Sequence, residues 1–581
     1  MNVSRYMMLG VYCLVSFPLF SQTAYLELNL NKPVVQNKLR PVLPKPPLEV
    51  FRVIERAGKD RRINGIVLNI GSFYGNRDYL WELRGALEQF KSRGKKICAF
   101  ISAADMDTYC LASVADKIVM DEQGALSMLG YVWGRGYMQH SLEKLGISVR
   151  ELRYLEYKSA AESYTRDSMS EADRRQYGEY LDDIFNLTRS TLMNARGWTD
   201  EKFNEIVNRD FLYSAKSAKS ENLVDYIGRK DAVVQAVKEL EGAEVKHYAL
   251  YGDGVSSLMN DHENYGPEKA RSFFKRPPVI AIVYANGQTD MERGMAAMTL
   301  SRTIRELADK GRVKAVVLRI NSPGGSAEAA DYITEAVRYV KEKKPVVVSM
   351  GQVAASGGYW AAMNASHITA TPYTLTGSIG VIGSWFFDNG MNTKLGFTVD
   401  SIQRGAHADL PTGFFIPRRD LSKDEEDRYR TYILDLYNEF TAKVAAGRNM
   451  QIEKVESVAQ GRVFSGTAAL NAGLIDSVGG IQDAIHTARA LANIPDDASV
   501  LYGEYPKLNF FDKMVNRFSQ MTAFIKSKNS ASSAAAFLSE LFLPEDIQYR
   551  LRRNGQVMPI LPLGLILPET ANNLYRQQNY F

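Results

Sequence analysis

The chain has 581 residues, of which 45% are hydrophobic and 24% charged, which is ordinary for a folded protein and excludes a largely disordered chain. Its net charge of +5 is small for this length. No dense Lys/Arg block is interleaved with aromatic residues, so we expect no nucleic-acid partner. The sparse cysteines lack a CxxC spacing, and we interpret Cys98 and Cys110 as buried thiols, the alternative being a bridge between them.

The N-terminus carries an apolar run from Tyr6 to Phe20, preceded by Arg5. The run is shorter than the roughly 20 residues that a membrane span requires, and its length is typical of a signal peptide. An uncleaved signal anchor extended by Ala24–Leu26 is the second interpretation, and a short buried helix the third. We assign residues 1–26 to a signal peptide or signal anchor, which would place the rest of the chain outside the cytoplasm.

The sequence contains an internal repeat. Gly65–Ile70 (GIVLNI) matches Ala315–Ile320 (AVVLRI) at an offset of 250 residues, and the offset drifts to 252 at Arg196 and Arg448. Such a repeat indicates two homologous domains. We assign residues 45–245 to the first and 277–490 to the second, with a linker at 250–276 and a C-terminal extension at 500–581.

Each half alternates apolar strands with amphipathic helices. In the second half the pattern predicts strands at Val279–Tyr284, Ala315–Ile320 and Val346–Met350, and helices at Ala327–Lys341 and Ala355–Asn364. Continuous apolar strands separated by helices are typical of a parallel sheet covered on both faces. The predicted fold class is therefore α/β, with two homologous domains in tandem, each a parallel-rich sheet covered by helices.

Two glycine-rich elements follow strands of the second half. The first, Asn321–Ser326 (NSPGGS), can expose backbone N–H groups that bind a developing oxyanion. The second, Ala354–Trp360 (AASGGYW), frames Ser356 with small residues at a strand-to-helix turn. Ser356 is therefore a candidate nucleophile, although a serine at such a turn is more often a helix N-cap.

A serine nucleophile needs a base, and no histidine lies in a repeated or glycine-framed context. The chain also contains no HExxH motif, and we expect no metal or cofactor. The alternative base is a buried lysine of lowered pKa. Lys158 is a candidate because each half keeps one of the two groups and lacks the other. The first half has Met106 at the position of Ser356, and the second half has no lysine from 395 to 422, the region that corresponds to Lys158. The competing interpretation of Lys158 is a solvated surface charge.

The segments VVLRINSPGGS, VVVSMGQVAASGGYW and TLTGSIGVIG, with YKSAAE in the first half, resemble the long, duplicated form of the signal peptide peptidase A family, also called protease IV. The resemblance covers about residues 45 to 490 and implies a Clp-protease/crotonase-like fold. It implies that Ser356 is the nucleophile of a Ser-Lys dyad and that Lys158 is its general base.

The resemblance also implies roles for residues around the dyad. Ser378, in LTGSIG, would orient Lys158. Gly324 and Gly325 would lie at the oxyanion hole and the substrate-binding edge, and Gly357 would complete the turn beside the nucleophile. One departure is Asn321, where many members of the family carry Asp before SPGG.

The family implies a protease of the bacterial inner membrane with its catalytic domains on the periplasmic side. It would degrade released signal peptides and other unfolded hydrophobic peptides, without a cofactor, as a homo-oligomer, by resemblance a tetramer. Two other interpretations remain open: a crotonase-like enzyme acting on an acyl-CoA, and a non-catalytic membrane scaffold.

Overall fold

The protein is described by a computed structural model over residues 24–30, 48–71, 75–242, 246–251, 277–495 and 498–506. The predicted export segment before residue 24, most of the predicted linker and the extension after residue 506 lie outside these ranges. Within the ranges, no helix combines the length and the apolar character needed to cross a membrane. Cys98 and Cys110 are buried free thiols, which confirms the interpretation favoured above.

The first domain is built on a seven-stranded sheet. The strands of this half are β1 (Ala24–Asn29), β2 (Ile63–Gly71), β3 (Lys96–Ala104), β4 (Lys117–Ser127), β5 (Ile147–Leu152), β6 (Leu212–Ser214), β7 (Tyr226–Ile227) and β8 (Lys246–Tyr251). All except β5 join one sheet in the order β6-β4-β3-β2-β1-β8, with β7 beside β4. Every pairing is parallel except that of β6 with β4.

The helices of this half cover the faces of the sheet or connect its strands. They are α1 (Leu48–Lys59), α2 (Arg77–Ser92), α3 (Met106–Ala112), α4 (Gln139–Leu145), α5 (Glu162–Thr165), α6 (Glu171–Arg196), α7 (Asp200–Glu205), α8 (Ala215–Ser220) and α9 (Lys230–Glu241). One π-helical turn, Ile206–Asp210, follows α7.

The second domain repeats this plan. Its strands are β9 (Val279–Asn286), β10 (Val313–Ser322), β11 (Val346–Ala355), β12 (His367–Ala370), β13 (Leu375–Gly377), β14 (Gly383–Asp388), β15 (Val463–Phe464), β16 (Ser477–Val478) and β17 (Leu501–Tyr505). All except β14 join one sheet in the order β15-β13-β11-β10-β9-β17, with β12 between β11 and β16. Its helices are α10 (Ala297–Asp309), α11 (Ala327–Lys341), α12 (Gly357–Ala362), α13 (Met391–Leu395), α14 (Lys423–Arg448), α15 (Ile452–Val458), α16 (Gly466–Asn471) and α17 (Ile481–Leu491).

The burial of the central strands explains why their sequences in the second half are continuous apolar runs. Strand β11 is buried at nine of its ten positions, because helices pack against both faces of a parallel sheet. Helix α11 coincides with the predicted helix, and the Ser326 side chain caps its N-terminus by accepting a hydrogen bond from the N–H of Ala329. The predicted α/β class is confirmed.

The same tertiary contacts recur in the two halves. The Tyr109 hydroxyl donates to the carbonyl of Leu223 at 2.7 Å, and the Tyr359 hydroxyl donates to the carbonyl of Leu474 at 2.9 Å. Two residues after each of these carbonyls, an aspartate accepts a hydrogen bond from the backbone N–H of a strand residue. Asp225 accepts from Ile118 and Asp476 accepts from Ile368, both at 2.7 Å. Because these pairs stand at the offset found in the sequence, the repeat is structural as well as sequential.

Several predicted boundaries differ from the observed ones. Ala24–Leu26, assigned above to the export segment, lies in β1, where it is hydrogen-bonded between β2 and β8. Strand β8 extends to Tyr251 and therefore into the predicted linker. Residues 501–505, assigned to the extension, form β17 beside β9. The helix predicted at Ala355–Asn364 is shorter, because Ala355 still pairs in the sheet with Gly377.

The two domains contact each other through a strand pair and a buried ion cluster. Strand β5 of the first half pairs antiparallel with β14 of the second. In the ion cluster, the buried guanidinium of Arg319 donates to Glu82 at 2.7 Å and to Asp78 at 3.0 Å, both on α2. Through these contacts, elements of the first domain are held against the second.

Candidate active site

Ser356 lies at the sharp turn between the end of β11 and the start of α12. Its backbone has φ 56° and ψ −117°, a conformation that costs about 1–3 kcal/mol for a residue other than glycine. The turn is held because its N–H donates to the carbonyl of Gly377 at 2.8 Å and its carbonyl accepts from the N–H of Trp360 at 2.8 Å. The side chain makes no N-cap hydrogen bond. The N-cap interpretation of Ser356 is therefore wrong.

Lys158 reaches this turn from the first domain, on the segment between β5 and α5. Its Nζ lies 2.8 Å from the Oγ of Ser356 and donates to the carbonyl of Ser378 at 2.8 Å; the Oγ of Ser378 is 2.9 Å away. The side chain is 1% exposed, so the surface-charge interpretation is also wrong. The structure brings together two residues that are 198 positions apart in the sequence.

The electrostatics of the site favour a neutral amine. Burial lowers the pKa of Lys158 well below its ordinary value, because a desolvated ammonium is costly. The hydrogen-bond partners of Nζ among the described residues are serine oxygens, and none is a carboxylate. A carboxylate there would stabilise the charged form and oppose this shift.

The backbone around Lys158 is fixed by contacts from both domains. The N–H of Tyr157 donates to the carbonyl of Gln460 at 3.0 Å. A Cβ at Gly461 would lie 2.6 Å from the Cβ of Lys158, so only glycine allows this approach. On the other side, the carbonyl of Ser159 accepts from Arg135 at 2.9 Å. The residues around Gly461 give no sign of this role in the sequence, because it depends on a contact about 300 residues away along the chain.

Ser378 occupies a second strained turn, directly after β13. Its φ is 52°, and its N–H donates to the carbonyl of Arg462 at 2.7 Å. This turn aims both the carbonyl and the hydroxyl of Ser378 at the Lys158 amine. In the sequence, only the resemblance to the family predicts that Ser378 lies near the base.

The predicted oxyanion glycines form a loop clamped by Thr289. The N–H of Thr289 donates to the carbonyl of Gly324 at 2.8 Å, and the carbonyl of Thr289 accepts from the N–H of Ser326 at 2.8 Å. Gly324 has φ 100° and Gly325 has φ 149°, and a Cβ at Gly325 would lie 2.3 Å from the Thr289 carbonyl oxygen. Gly324 therefore requires glycine because of its backbone conformation, and Gly325 requires glycine because of both its conformation and the lack of space for a Cβ.

Gly357 joins the nucleophile turn to this loop. A Cβ at Gly357 would lie 2.6 Å from the Oγ1 of Thr289 and 3.3 Å from the Cα of Gly324. Thr289 is fully buried, and its Oγ1 has no hydrogen-bond partner among the described residues. Thr289 was missed in the sequence analysis, because nothing in the ANGQTD segment signals a contact with two distant glycine elements.

The comparisons with known proteins agree with this architecture. Residues 89–244 and 338–495 match the sequence profile of peptidase family S49, and residues 282–373 match the Clp protease profile. "Protease 4" of Haemophilus influenzae is 31% identical over 78% of this chain and 74% of its own length. "Serine protease SPPA, chloroplastic" of Arabidopsis thaliana is 32% identical over 76% of this chain and 65% of its own length.

Among solved structures, "ClpP1 from Listeria monocytogenes" aligns with 34% of this chain and 89% of its own, at 17% identity and a TM-score of 0.22. The duplicated α/β domains and the sequence matches define a serine peptidase. The chain belongs to peptidase family S49.

Proposed function

We propose that this chain is a membrane-associated serine endopeptidase whose Ser356–Lys158 dyad degrades released signal peptides and other hydrophobic peptides. The observation that carries the proposal is the 2.8 Å approach of Lys158 Nζ to Ser356 Oγ within a buried site. A hydroxyl becomes an effective nucleophile when a neutral base accepts its proton. The lowered pKa of Lys158 supplies such a base without histidine.

In the proposed mechanism, the neutral Lys158 amine accepts the Ser356 proton while Oγ attacks the scissile carbonyl carbon. The C–O bond forms, and the carbonyl π electrons become the oxyanion of a tetrahedral intermediate. The ammonium is then stabilised by the carbonyl and hydroxyl of Ser378, which lie 2.8 and 2.9 Å from Nζ. Lys158 next protonates the leaving amine, the C–N bond breaks, and the same lysine activates the water that hydrolyses the acyl-enzyme.

The oxyanion would be stabilised by backbone N–H groups of the two glycine elements. The N–H of Gly324 already donates to the Oγ of Ser322 at 3.2 Å. The N–H groups that we assign to the oxyanion are therefore those of Gly325 and Gly357. The N-terminal end of α12 adds a favourable dipole at the same place.

The proposed substrate class and location rest on the N-terminal segment and on the family. The apolar run Tyr6–Phe20 suits attachment to, or export across, the bacterial inner membrane, with the peptidase domains on the periplasmic side. Peptides released from a membrane are apolar and unfolded, which favours them as substrates of a peptidase held at its surface.

The test combines a fluorophosphonate probe, which labels activated serines, with cleavage of a synthetic signal-peptide sequence. We expect the full chain to be labelled and to cleave the peptide, and Ser356→Ala to do neither. Ser457→Ala is the control, because Ser457 is exposed on α15, and it should behave as the parent. Peptide cleavage that persists in Ser356→Ala would contradict the assignment.

The same experiment separates the two competing functions. A folded chain that neither takes the label nor cleaves peptides, but turns over an acyl-CoA, would support the crotonase-like interpretation. A folded chain without any of these activities would support the scaffold. Localisation is tested separately, by protease accessibility of the full chain in spheroplasts, where we expect both domains to be digested from outside.

A further inference from the structure

Lys158 lies at the centre of a tight turn of the chain. The N–H of Ser159 donates to the carbonyl of Tyr157 at 2.8 Å, and a bond between residues two apart closes a three-residue turn. The segment belongs to no helix or strand. Its backbone must therefore be fixed by neighbours in space, because Lys158 reaches Ser356 only if this turn is held in place.

A buried ion pair holds the residue that follows Lys158. Arg135 and Asp173 form the pair, and their side chains are 1% and 0% exposed. The Arg135 guanidinium donates to the carbonyl of Ser159 at 2.9 Å, and the Ser159 hydroxyl donates to the Asp173 carboxylate. Each member of the ion pair thus binds one polar group of the residue next to the base.

A buried amide, Gln176, connects the same turn to the second domain. Its side-chain nitrogen donates to the carbonyl of Tyr157 at 3.0 Å, and its side-chain oxygen accepts from the N–H of Val463 at 3.1 Å. Val463 lies in β15 and pairs with Gly377 in β13. The carbonyl of Gly377 in turn accepts from the N–H of Ser356 at 2.8 Å. Gln176 therefore links the turn of the base to the strands that support the turn of the nucleophile.

Helix α6 sets the spacing of these supporting groups. Asp173 and Gln176 stand three residues apart in α6, so their side chains lie on the same face. The Gln176 amide also donates to the Asp173 carboxylate at 3.2 Å. The Ser170 hydroxyl caps the helix by accepting from the N–H of Asp173 at 3.2 Å. The helix thus orients both side chains towards the turn of Lys158.

The charged groups around this turn are paired with one another and not with Lys158. They form four ion pairs among the described residues: Arg135–Asp173, Arg153–Glu162, Arg175–Glu156 and Arg462–Glu179. The amine of Lys158 is hydrogen-bonded to serine oxygens. Burial is what lowers the pKa of Lys158, so a change that admits water to the amine should raise that pKa towards its ordinary value.

The second half contains an equivalent support around a loop that has no lysine. Asp173 and Glu425 are counterparts, since each donates its N–H to the capping serine of its helix, α6 or α14. Arg419 donates to Glu425 at 2.7 Å and to Asp409 at 2.6 Å. Asp409 belongs to the lysine-free segment that corresponds to the turn of the base. Both halves thus support this loop with a buried carboxylate, but only the first half supports a base.

We propose that Arg135, Asp173 and Gln176 are positioning residues of the peptidase. They act through Tyr157 and Ser159, the residues on either side of Lys158, and they keep the amine at hydrogen-bond distance from Ser356 and shielded from water. A displacement of about 1 Å in a catalytic group can lower the rate about 100-fold. The proposal rests on the Ser356–Lys158 dyad of the proposed function.

The first test replaces the ion pair by apolar side chains in the full chain. Arg135→Met combined with Asp173→Leu should leave the free energy of unfolding close to that of the parent, because apolar residues of similar volume can replace a buried ion pair without loss. Peptide cleavage should nevertheless show kcat lowered about tenfold or more and KM changed less than about twofold, because Ser159 has lost both partners. Urea denaturation and steady-state kinetics measure the two quantities.

The second half provides the matched control. Arg419→Met combined with Glu425→Leu removes the equivalent ion pair from the loop that has no lysine. We expect kcat within about twofold of the parent for this variant, whatever its effect on stability. A general loss of packing would instead lower activity in both double variants.

The pH profile gives a measurement that a purely structural role would not change. When the turn is released, water reaches Lys158, and the midpoint of the rise of kcat/KM with pH should move up by about one pH unit, towards the value of about 10.4 for an exposed lysine. A smaller folded fraction would lower the height of the profile and leave the midpoint in place. The control variant should keep the midpoint of the parent.

Gln176→Leu tests the link between the domains without removing a charge. The substitution keeps a side chain of similar size but removes the hydrogen bonds to Tyr157 and Val463. We expect kcat to fall about fivefold or more with little change in KM. This variant also provides the test if the apolar replacement of the ion pair does not fold.

Three results would overturn the proposal. The first is a kcat within twofold of the parent in the folded Arg135→Met, Asp173→Leu variant or, if that variant does not fold, in Gln176→Leu. The second is a lowered kcat with an unchanged midpoint of the pH profile. The third is an equal loss of kcat in the control variant. A parent chain that cleaves no peptide, or that is unaffected by Lys158→Met, would instead contradict the proposed function itself and the positioning role with it.

Discussion

The two halves use the same strand-to-helix turn in opposite ways. In the first half, Asp105 has an extended backbone and caps α3 by accepting from the N–H of Thr108 at 2.8 Å, and Met106 is buried in the core. In the second half, Ser356 has a positive φ and caps nothing. The first turn is built for stability, whereas the second holds strain that exposes a hydroxyl to an amine. Duplication thus preserved the scaffold and separated the two tasks.

A second pair of equivalent positions shows how the halves came to depend on each other. Arg319 in β10 is buried between the domains and contacts Asp78 and Glu82, whereas its counterpart Asn69 in β2 contacts Glu27 at 3.2 Å within its own sheet. The second domain therefore carries a cation whose carboxylate partners come from the first domain. Since Lys158 also comes from the first domain, anything that separates the domains should disable the site.

The largest expected effect is the loss of Lys158. We expect Lys158→Met to lower kcat by about 10³-fold, because general-base catalysis contributes on that scale, while the fold is kept by an uncharged side chain of similar length. Leu410→Met, in the segment 408–410 that corresponds to Lys158 in the second half, should change kcat less than about twofold. The measurement is steady-state cleavage of a fluorogenic peptide. A Lys158→Met variant within a few-fold of the parent would remove the lysine from the mechanism.

The next effect concerns stability at the domain junction. Burial raises the pKa of Glu82 to about 7, and the Arg319 guanidinium is the main influence that keeps it from rising further. Arg319→Met leaves two buried carboxyl groups without their cation and should reduce the free energy of unfolding by about 3–5 kcal/mol. Asn69→Ala, its counterpart, should cost about 1 kcal/mol. Urea denaturation measures the free energy of unfolding of both variants. Equal decreases would show that the ion cluster between the domains contributes no more to stability than the Asn69 contact does.

A smaller effect is expected where Thr289 meets the nucleophile turn. Gly357→Ala places a methyl group 2.6 Å from the Oγ1 of Thr289, so the turn must shift. We expect about a tenfold or greater loss of kcat/KM and about 1–3 kcal/mol of destabilisation. Gly85→Ala is the matched control, since a methyl there meets nothing within 4 Å on α2, and it should stabilise by about 0.5–1 kcal/mol. Unchanged activity in Gly357→Ala would show that the turn tolerates displacement.

The smallest effect is graded with pH and distinguishes buried Lys158 from the exposed lysines of the chain. Lys158 must be neutral to accept a proton, so kcat/KM should rise with pH by about tenfold per unit below its pKa and then become constant. Because burial lowers that pKa, the plateau should begin at a lower pH than an exposed lysine would allow. The folded state also binds fewer protons than the unfolded state between the two pKa values, so stability should fall as pH falls through that window. A kcat/KM that levels off only near the pKa of an exposed lysine, about 10.4, would contradict a buried lysine base.

The sequence by itself determined the α/β class, the duplication and the identity of Ser356 and Lys158 as candidates, because apolar periodicity and repeat offsets are properties of the linear chain. It could not distinguish a nucleophile from an N-cap at Ser356, or a base from a surface charge at Lys158.

Only the tertiary structure decided those alternatives, because strain, burial and the 2.8 Å contact arise between segments far apart in sequence. The supporting contacts of Gly461 and Thr289 are of the same kind. The placement of β1, β8 and β17 in the sheets depends on hydrogen bonds to strands that are distant in sequence. The residues of such short flanking segments do not predict these hydrogen bonds.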